Sequence, residues 1–133
     1  MRHPLASIAA AFAACAAVGL FTAAAVRAEG AGDPAKGKTT FARCAVCHSL
    51  DAGVNKVGPS LHGIIGRHSG SIDGYSYSPA MKASNLTWDA ATLDKYLASP
   101  KALVPGNKMA FPGLPKPEDR GNVIAYLTQA SGS

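Results

Sequence analysis

Apolar and polar positions fall into three textures along this chain. Leu5 to Val26 is an uncharged, alanine-rich run of 22 residues. Beyond it, stretches with helical spacing alternate with stretches broken by Gly, Pro and Ser. "DPAKGKTTFARCAVCHSL" opens with Asp33 in an N-cap position and Pro34 at the first helical position, where its missing N–H is not needed. It predicts a helix from Pro34 to about Cys47 with Gly37 and Phe41 on one face. A glycine inside a helix costs about 1 kcal/mol against alanine, which is reasonable where a second helix must come close. "SPAMKAS" predicts a short helix capped by Ser78, and "TWDAATLDKYLASP" a longer one from Thr87 or Trp88 to Ser99, stopped by Pro100. "KPEDRGNVIAYLTQA" predicts a terminal helix from Pro117, with acids in its first turn and Val123, Tyr126, Leu127 and Ala130 on one stripe.

Between these elements, residues 51–77 and 100–116 keep neither the 3.6 nor the 2 period. No strand and no internal repeat emerges, so the fold class is all-α: three main helices, one short helix and long loops. A long structureless loop argues against a compact domain unless it wraps something large and apolar. The apolar inventory points the same way. Past Ala28 the large aromatic side chains are Trp88, Phe41, Phe111 and four tyrosines, a thin core for a domain of this size.

The N-terminal run changes the accounting of the 133 residues. Val26 and Ala28 in "VRA" sit at the small-residue positions expected before a signal cleavage site. Residues 1–28 therefore read as a cleaved secretory signal and 29–133 as the single domain. The competing reading is a retained membrane anchor, since about 20 residues can span a bilayer. The run is mostly alanine, and only a few residues separate it from the helix start at Asp33, a short tether for a domain that must reorient. Cys15 goes with the signal. The remaining chain has 11 basic and eight acidic residues, about +3, without a dense Lys/Arg run. Nucleic acid is not expected as a partner; an acidic patch on another protein is.

Cys44 and Cys47 remain, spaced C-x-x-C with His48 directly behind. This spacing admits a thioredoxin-like dithiol, half of a zinc site, or two thioether anchors for a haem. Zinc needs four ligands, and there is no second pair and no His-x3-5-His; His62 and His68 lie six apart in a glycine-rich loop. A thioredoxin-like site expects a preceding strand, and none is predicted. Export to an oxidising compartment disfavours a free dithiol. Covalent haem attachment is the reading that survives, with His48 as an axial ligand. For the second axial position Met109, Met81, His62 and His68 are candidates, or none if the iron is open. Met109 is favoured because "PGNKMAFPG" is a rigid, irregular loop, 61 residues beyond His48. Met81 lies in a short helix, where methionine more often packs.

With these pieces in order, "GDPAKGKTTFARCAVCH", "VGPSLHGIIGR", "GYSYS", "LTWDAATLDKYLASPK", "PGNKMAFPG" and "VIAYL" make the chain resemble, over residues 32 to 130, the class I cytochromes c, in the bacterial, mitochondrial-like subgroup of c-two type. The resemblance implies a cytochrome c fold around one covalently bound haem c, held by Cys44 and Cys47 and ligated by His48 and Met109. It implies that Pro59 offers its carbonyl to His48, that Tyr96 lies beside the Met109 sulfur, and that Arg67, Tyr77 and Trp88 bond a haem propionate. Gly37 and Phe41 would meet Tyr126 where the first and last helices cross. Two positions depart from the commonest pattern: Met81 stands where asparagine is frequent near a buried water, and Asn107 where threonine is frequent beside a propionate.

By that resemblance the chain is an electron carrier, not an enzyme: soluble, monomeric and periplasmic. A cytochrome bc complex would be its donor, and a terminal oxidase or photosynthetic reaction centre its acceptor. Lys38, Lys56, Lys101, Lys108 and Lys116 would surround the exposed haem edge and steer docking. The rivals are a membrane-anchored relay and a haem enzyme or gas-binding protein with a labile sixth ligand.

Overall fold

The computed structural model describes residues 32–132; the apolar run, the expected cleavage site and Cys15 lie outside them. The first helix, α1 (Pro34–Ala45), begins at Asp33, whose side chain accepts from the amides of Ala35 (2.8 Å) and Lys36 (3.4 Å). Among the described residues it is followed by α2 (Pro79–Lys82), α3 (Ala90–Ala98), α4 (Pro100–Leu103) and α5 (Pro117–Ala130). The extended pairing among them is one isolated bridge, His68 with Thr87.

Three boundaries differ from the sequence expectation, each for a local reason. α1 stops at Ala45 instead of reaching Cys47. The amides of Cys47 (3.0 Å) and His48 (2.9 Å) both turn back onto the Cys44 carbonyl, so the last turn tightens and the chain leaves the helix through the motif. α3 starts at Ala90 because Asp89 is its cap, accepting from the Thr92 amide at 2.7 Å. Trp88 is committed elsewhere: its amide donates to the Arg67 carbonyl at 2.9 Å and its carbonyl accepts from Gly66 at 3.0 Å. Finally, residues 100–103, expected as loop, form α4. Pro100 cannot extend α3, but it suits the first position of a new helix.

α1 and α5 form the main helix contact. Gly37 and Phe41 are buried there, the Phe41 and Tyr126 rings lie 5.3 Å apart, and the side-chain oxygen of buried Asn122 accepts from the Asp33 amide at 2.7 Å. A Cβ on Gly37 would collide with the Asn122 carbonyl and lie 2.8 Å from Tyr126 Cβ, so only glycine permits this approach. α5 has no side-chain cap; Glu118 and Asp119 in its first turn complement the dipole instead. Arg120 joins α5 to α3 through Asp94 (2.7 Å) and holds the preceding loop through the Leu114 and Pro115 carbonyls.

The buried core is small: Phe41, Ile64, Trp88, Leu93, Tyr96, Val104, Leu114, Val123, Ile124 and Leu127. Six of these ten (Ile64, Trp88, Leu93, Tyr96, Val123 and Leu127) also face an internal cavity. Much of the core is therefore also cavity wall, and Trp88 and Tyr96 belong both to it and to the expected site. Among the described residues no helix is long and apolar enough to cross a membrane.

Candidate functional site

The cavity has a volume of about 430 Å³ and is bounded by every main segment of the fold. The tightened end of α1 supplies Cys44, Cys47 and His48; the following loop Pro59, Arg67 and Tyr77; α3 and its approach Trp88 and Tyr96; and the loop after α4 Asn107 and Met109. All ten expected site residues thus share one wall system. Met81 lines it too, whereas His62 and His68 do not. His62 is turned to the Leu50 carbonyl, 3.2 Å away, and His68 lies near Thr87 Oγ1 at 3.4 Å.

Each candidate iron ligand is held by a protein partner. His48 Nδ1 lies 2.7 Å from the Pro59 carbonyl. A carbonyl only accepts, so Nδ1 carries the proton and Nε2 is left with its lone pair. Gly58 makes the ring's seat: a Cβ there would lie 2.7 and 2.8 Å from the two ring nitrogens. Burial holds the His48 pKa below its ordinary value, against the opposing Pro59 bond, with the Arg67 and Lys56 charges adding to the lowering. The neutral, ligating form is therefore favoured. Gly58 was not read from the sequence as part of the site, although its place directly before Pro59 was the available signal.

On the other side, Tyr96 Oη donates toward Met109 Sδ at 3.9 Å. Tyr96 stacks at an angle on Trp88, with ring centroids 4.8 Å apart. Its hydroxyl pKa is pushed up to about 12, chiefly by burial, with a smaller contribution from the Tyr75 charge. It stays a neutral donor. Asn107 reaches the cavity wall, but its amide is bound to backbone: Nδ2 donates to the Pro100 and Val104 carbonyls, both at 2.9 Å, and Oδ1 accepts from the Met109 amide at 2.9 Å. Tyr77 Oη accepts from the Ile72 amide at 3.4 Å.

Two loops are tied together at the mouth, and the first of them is also tied to itself. Tyr75 Oη donates to the Val57 carbonyl at 2.7 Å, Lys108 Nζ donates to the Ser76 carbonyl, and the same ammonium lies 4.8 Å from the centre of the Tyr75 ring. This strap of Tyr75 and Lys108 was not foreseen in the sequence, since it joins residues far apart in the chain. Val57, whose carbonyl takes the Tyr75 bond, is 79% exposed at the cavity edge. The five expected docking lysines are all exposed.

The polar inventory tests whether a haem fits here. Among the described residues, Arg67 Nε is a buried side-chain nitrogen without a partner. Its Nη1 is occupied by the His62 carbonyl at 2.8 Å, and burial lowers its pKa. An unpaired guanidinium edge on an otherwise apolar wall wants an anion. Haem brings one as a propionate. Cys44 and Cys47 are unpaired and half-buried, and burial pushes the Cys44 thiol up, with Arg43 opposing. No group of three or more His, Cys, Asp or Glu able to hold a metal occurs among the described residues. A zinc reading therefore lacks its ligands, whereas a planar apolar group with thioether, imidazole and anion contacts matches the wall.

The fold and this wall define a small helical haem protein. Residues 34–131 match the cytochrome c family model. The chain is 51% identical over 106 residues to cytochrome c2 of Rhodoblastus acidophilus, covering 77% of this chain and 99% of that protein. It is 52% identical over 103 residues to cytochrome c2 of Rhodomicrobium vannielii, covering 77% and 82%. Among solved structures, cytochrome cH from Methylobacterium extorquens superposes with a TM-score of 0.70 at 47% identity, covering 74% of this chain and 99% of that one. The chain belongs to the cytochrome c family, as a class I cytochrome c. It is an electron-transfer protein, not an enzyme, and carries haem c attached covalently, with Cys44 and Cys47 in the attachment spacing.

Proposed function

We propose that this cytochrome is a soluble, exported carrier of single electrons between membrane redox complexes, with its haem iron ligated by His48 and Met109. One observation carries the reading. The fold brings His48 and Met109, 61 residues apart in sequence, onto one cavity, each with its own hydrogen-bond partner, Pro59 and Tyr96. The bound haem supplies reversible one-electron chemistry at iron, and His/Met ligation raises its potential.

The protein's own residues do the rest. Pro59 fixes the His48 tautomer and Gly58 the ring plane. Tyr96 steadies the thioether without taking its proton chemistry into the neutral pH range. Arg67 offers its free Nε to a propionate, with Tyr77 and Trp88 beside it on the wall. With His48 and Met109 both engaged, no position would be left on the iron for substrate. The exposed lysines, Lys38, Lys56, Lys101, Lys108 and Lys116, speed encounter with an acidic partner. A bc complex as donor, and an oxidase or photosynthetic reaction centre as acceptor, match that chemistry and the export signal read in residues 1–28.

The test is a comparison of wild type with Met109→Ala as purified, oxidised holoproteins. The variant should bind cyanide faster by orders of magnitude and show a lower potential; equal cyanide rates would remove Met109 as the ligand. N-terminal mass analysis of the same wild-type sample should find residues 1–28 absent. Their retention in a membrane pellet would establish the anchored form instead.

A further inference from the structure

Asn107 is buried, with 9% of its surface exposed, and every polar function of its side chain is spent on backbone. Its amide nitrogen spans two carbonyls of the α4 turn, those of Pro100, the first residue of the helix, and Val104, its C-cap, each at 2.9 Å. Its own backbone amide reaches the Val104 carbonyl at 3.1 Å, and Gly106, at φ +87°, supplies the left-handed residue that lets this turn close. The side-chain oxygen accepts from the Met109 amide at 2.9 Å. One side chain therefore connects the end of α4 to the residue bearing the thioether. The loop has little else of this kind: Lys108 is exposed and tied only to the mouth strap, and Phe111 bonds back to the Met109 carbonyl at 3.0 Å. Tyr96 meets the sulfur from the cavity side at 3.9 Å, too weak a contact to set the backbone.

We propose that Asn107 is the positioning residue for the sixth iron ligand: its three hydrogen bonds hold the Met109 backbone so that the thioether stays in the cavity, and so set how readily that ligand is exchanged. The inference rests on Met109 being the ligand. At a position that the family resemblance places beside a propionate, this chain puts an amide whose donors are both already engaged. Its work is directed at the loop. Removing the side chain takes one of two donors from each of the Pro100 and Val104 carbonyls, which keep the Val104 and Asn107 backbone amides, and it frees the Met109 N–H, which favours conformers with the sulfur withdrawn.

The experiment uses oxidised holoprotein and five chains: wild type, Met109→Ala, Asn107→Ala, Asn107→Ser and Asn122→Ala. Cyanide binding should be on the order of tenfold faster or more in Asn107→Ala than in wild type, with weakening of the sulfur-to-iron charge-transfer absorption. Serine keeps an oxygen that can accept from the Met109 amide, and it should recover most of the wild-type slowness. Asn122→Ala, destabilised at the distant helix crossing, is the control for a merely structural effect. If it speeds cyanide binding as much as Asn107→Ala does, or if Asn107→Ala binds at the wild-type rate while Met109→Ala is fast, the positioning role is wrong. If wild type and Met109→Ala bind equally fast, the ligand assignment itself fails, and this role falls with it. A reading independent of any variant is amide hydrogen exchange of wild type. The Met109 amide should be protected, and exchange at the rate of a free peptide would overturn the proposal.

Discussion

Where α1 crosses α5, backbone lies against backbone. Gly32 and Gly37 leave no room for a Cβ before Gly121 and Asn122, and the Asp33 amide is bonded across the crossing by Asn122. Around the cavity the arrangement is reversed. Large side chains (Trp88, Tyr96, Met81, Met109) line it, the Met109 backbone is held by the Asn107 side chain, and the His48 ring is held by the Pro59 carbonyl. The crossing is completed by the protein's own atoms, so it can act as a fixed frame. The cavity wall would be completed by the cofactor, so its order would depend on a few hydrogen bonds and on that group. In a small domain where six of the ten core residues also line the cavity, that division would place stability at one end and redox chemistry at the other.

The comparison can be broken most severely at the crossing. Gly37→Val must push α5 away from α1 and should cost more than about 3 kcal/mol of stability; a denaturant midpoint close to wild type would show that the approach is not tight. Gly58→Ala attacks the site instead. Its Cβ enters the His48 ring, so about 2 kcal/mol should be lost together with the His48–Pro59 bond. An unaltered Nδ1 proton resonance in the variant would contradict this. Asn122→Ala deletes an acceptor but adds no atoms, and about 1–2 kcal/mol is expected, read by thermal unfolding.

The smallest effect is at a helix cap. The amide of Thr92 first, and its hydroxyl next, hold the Asp89 carboxyl below its ordinary value of 3.8. A depressed folded value means the stabilisation is complete above the unfolded value and is lost as pH falls through the folded one. The advantage of wild type over Asp89→Ala should therefore be constant near neutrality and shrink on acidification below about pH 4. An advantage that survives undiminished at pH 2 would contradict this.

Much of this was legible in the chain because it is local. Caps at Asp33 and Ser78, the start of α5 at Pro117 and the C-x-x-C-H spacing all act within one helical turn, and sequence distance is then physical distance. The end of α1 at Ala45 and the start of α3 at Ala90 were misplaced, because partners outside the local pattern decided them. Trp88 looked helical by spacing, but its backbone was taken by Gly66 and Arg67. α4 was hidden because Pro100 ends one helix and begins another.

The candidate site divides in the same way. Cys44, Cys47 and His48 are set by adjacency, and Met109, preferred among the methionines for its rigid loop, lines the cavity as Met81 does. That His62 and His68 stand off the cavity while Met81 lines it is visible only in three dimensions. So are the seat that Gly58 makes for His48, the unpaired Arg67 Nε, the strap of Tyr75 and Lys108, and the backbone-directed amide of Asn107. By itself the sequence determined which residues could carry haem chemistry, through the covalent order and hydrogen-bonding capacity of each residue. Only the tertiary structure decided which of them meet and which polar groups are left free. Those outcomes depend on how helices and loops distant in sequence exclude water and compete for the same donors and acceptors.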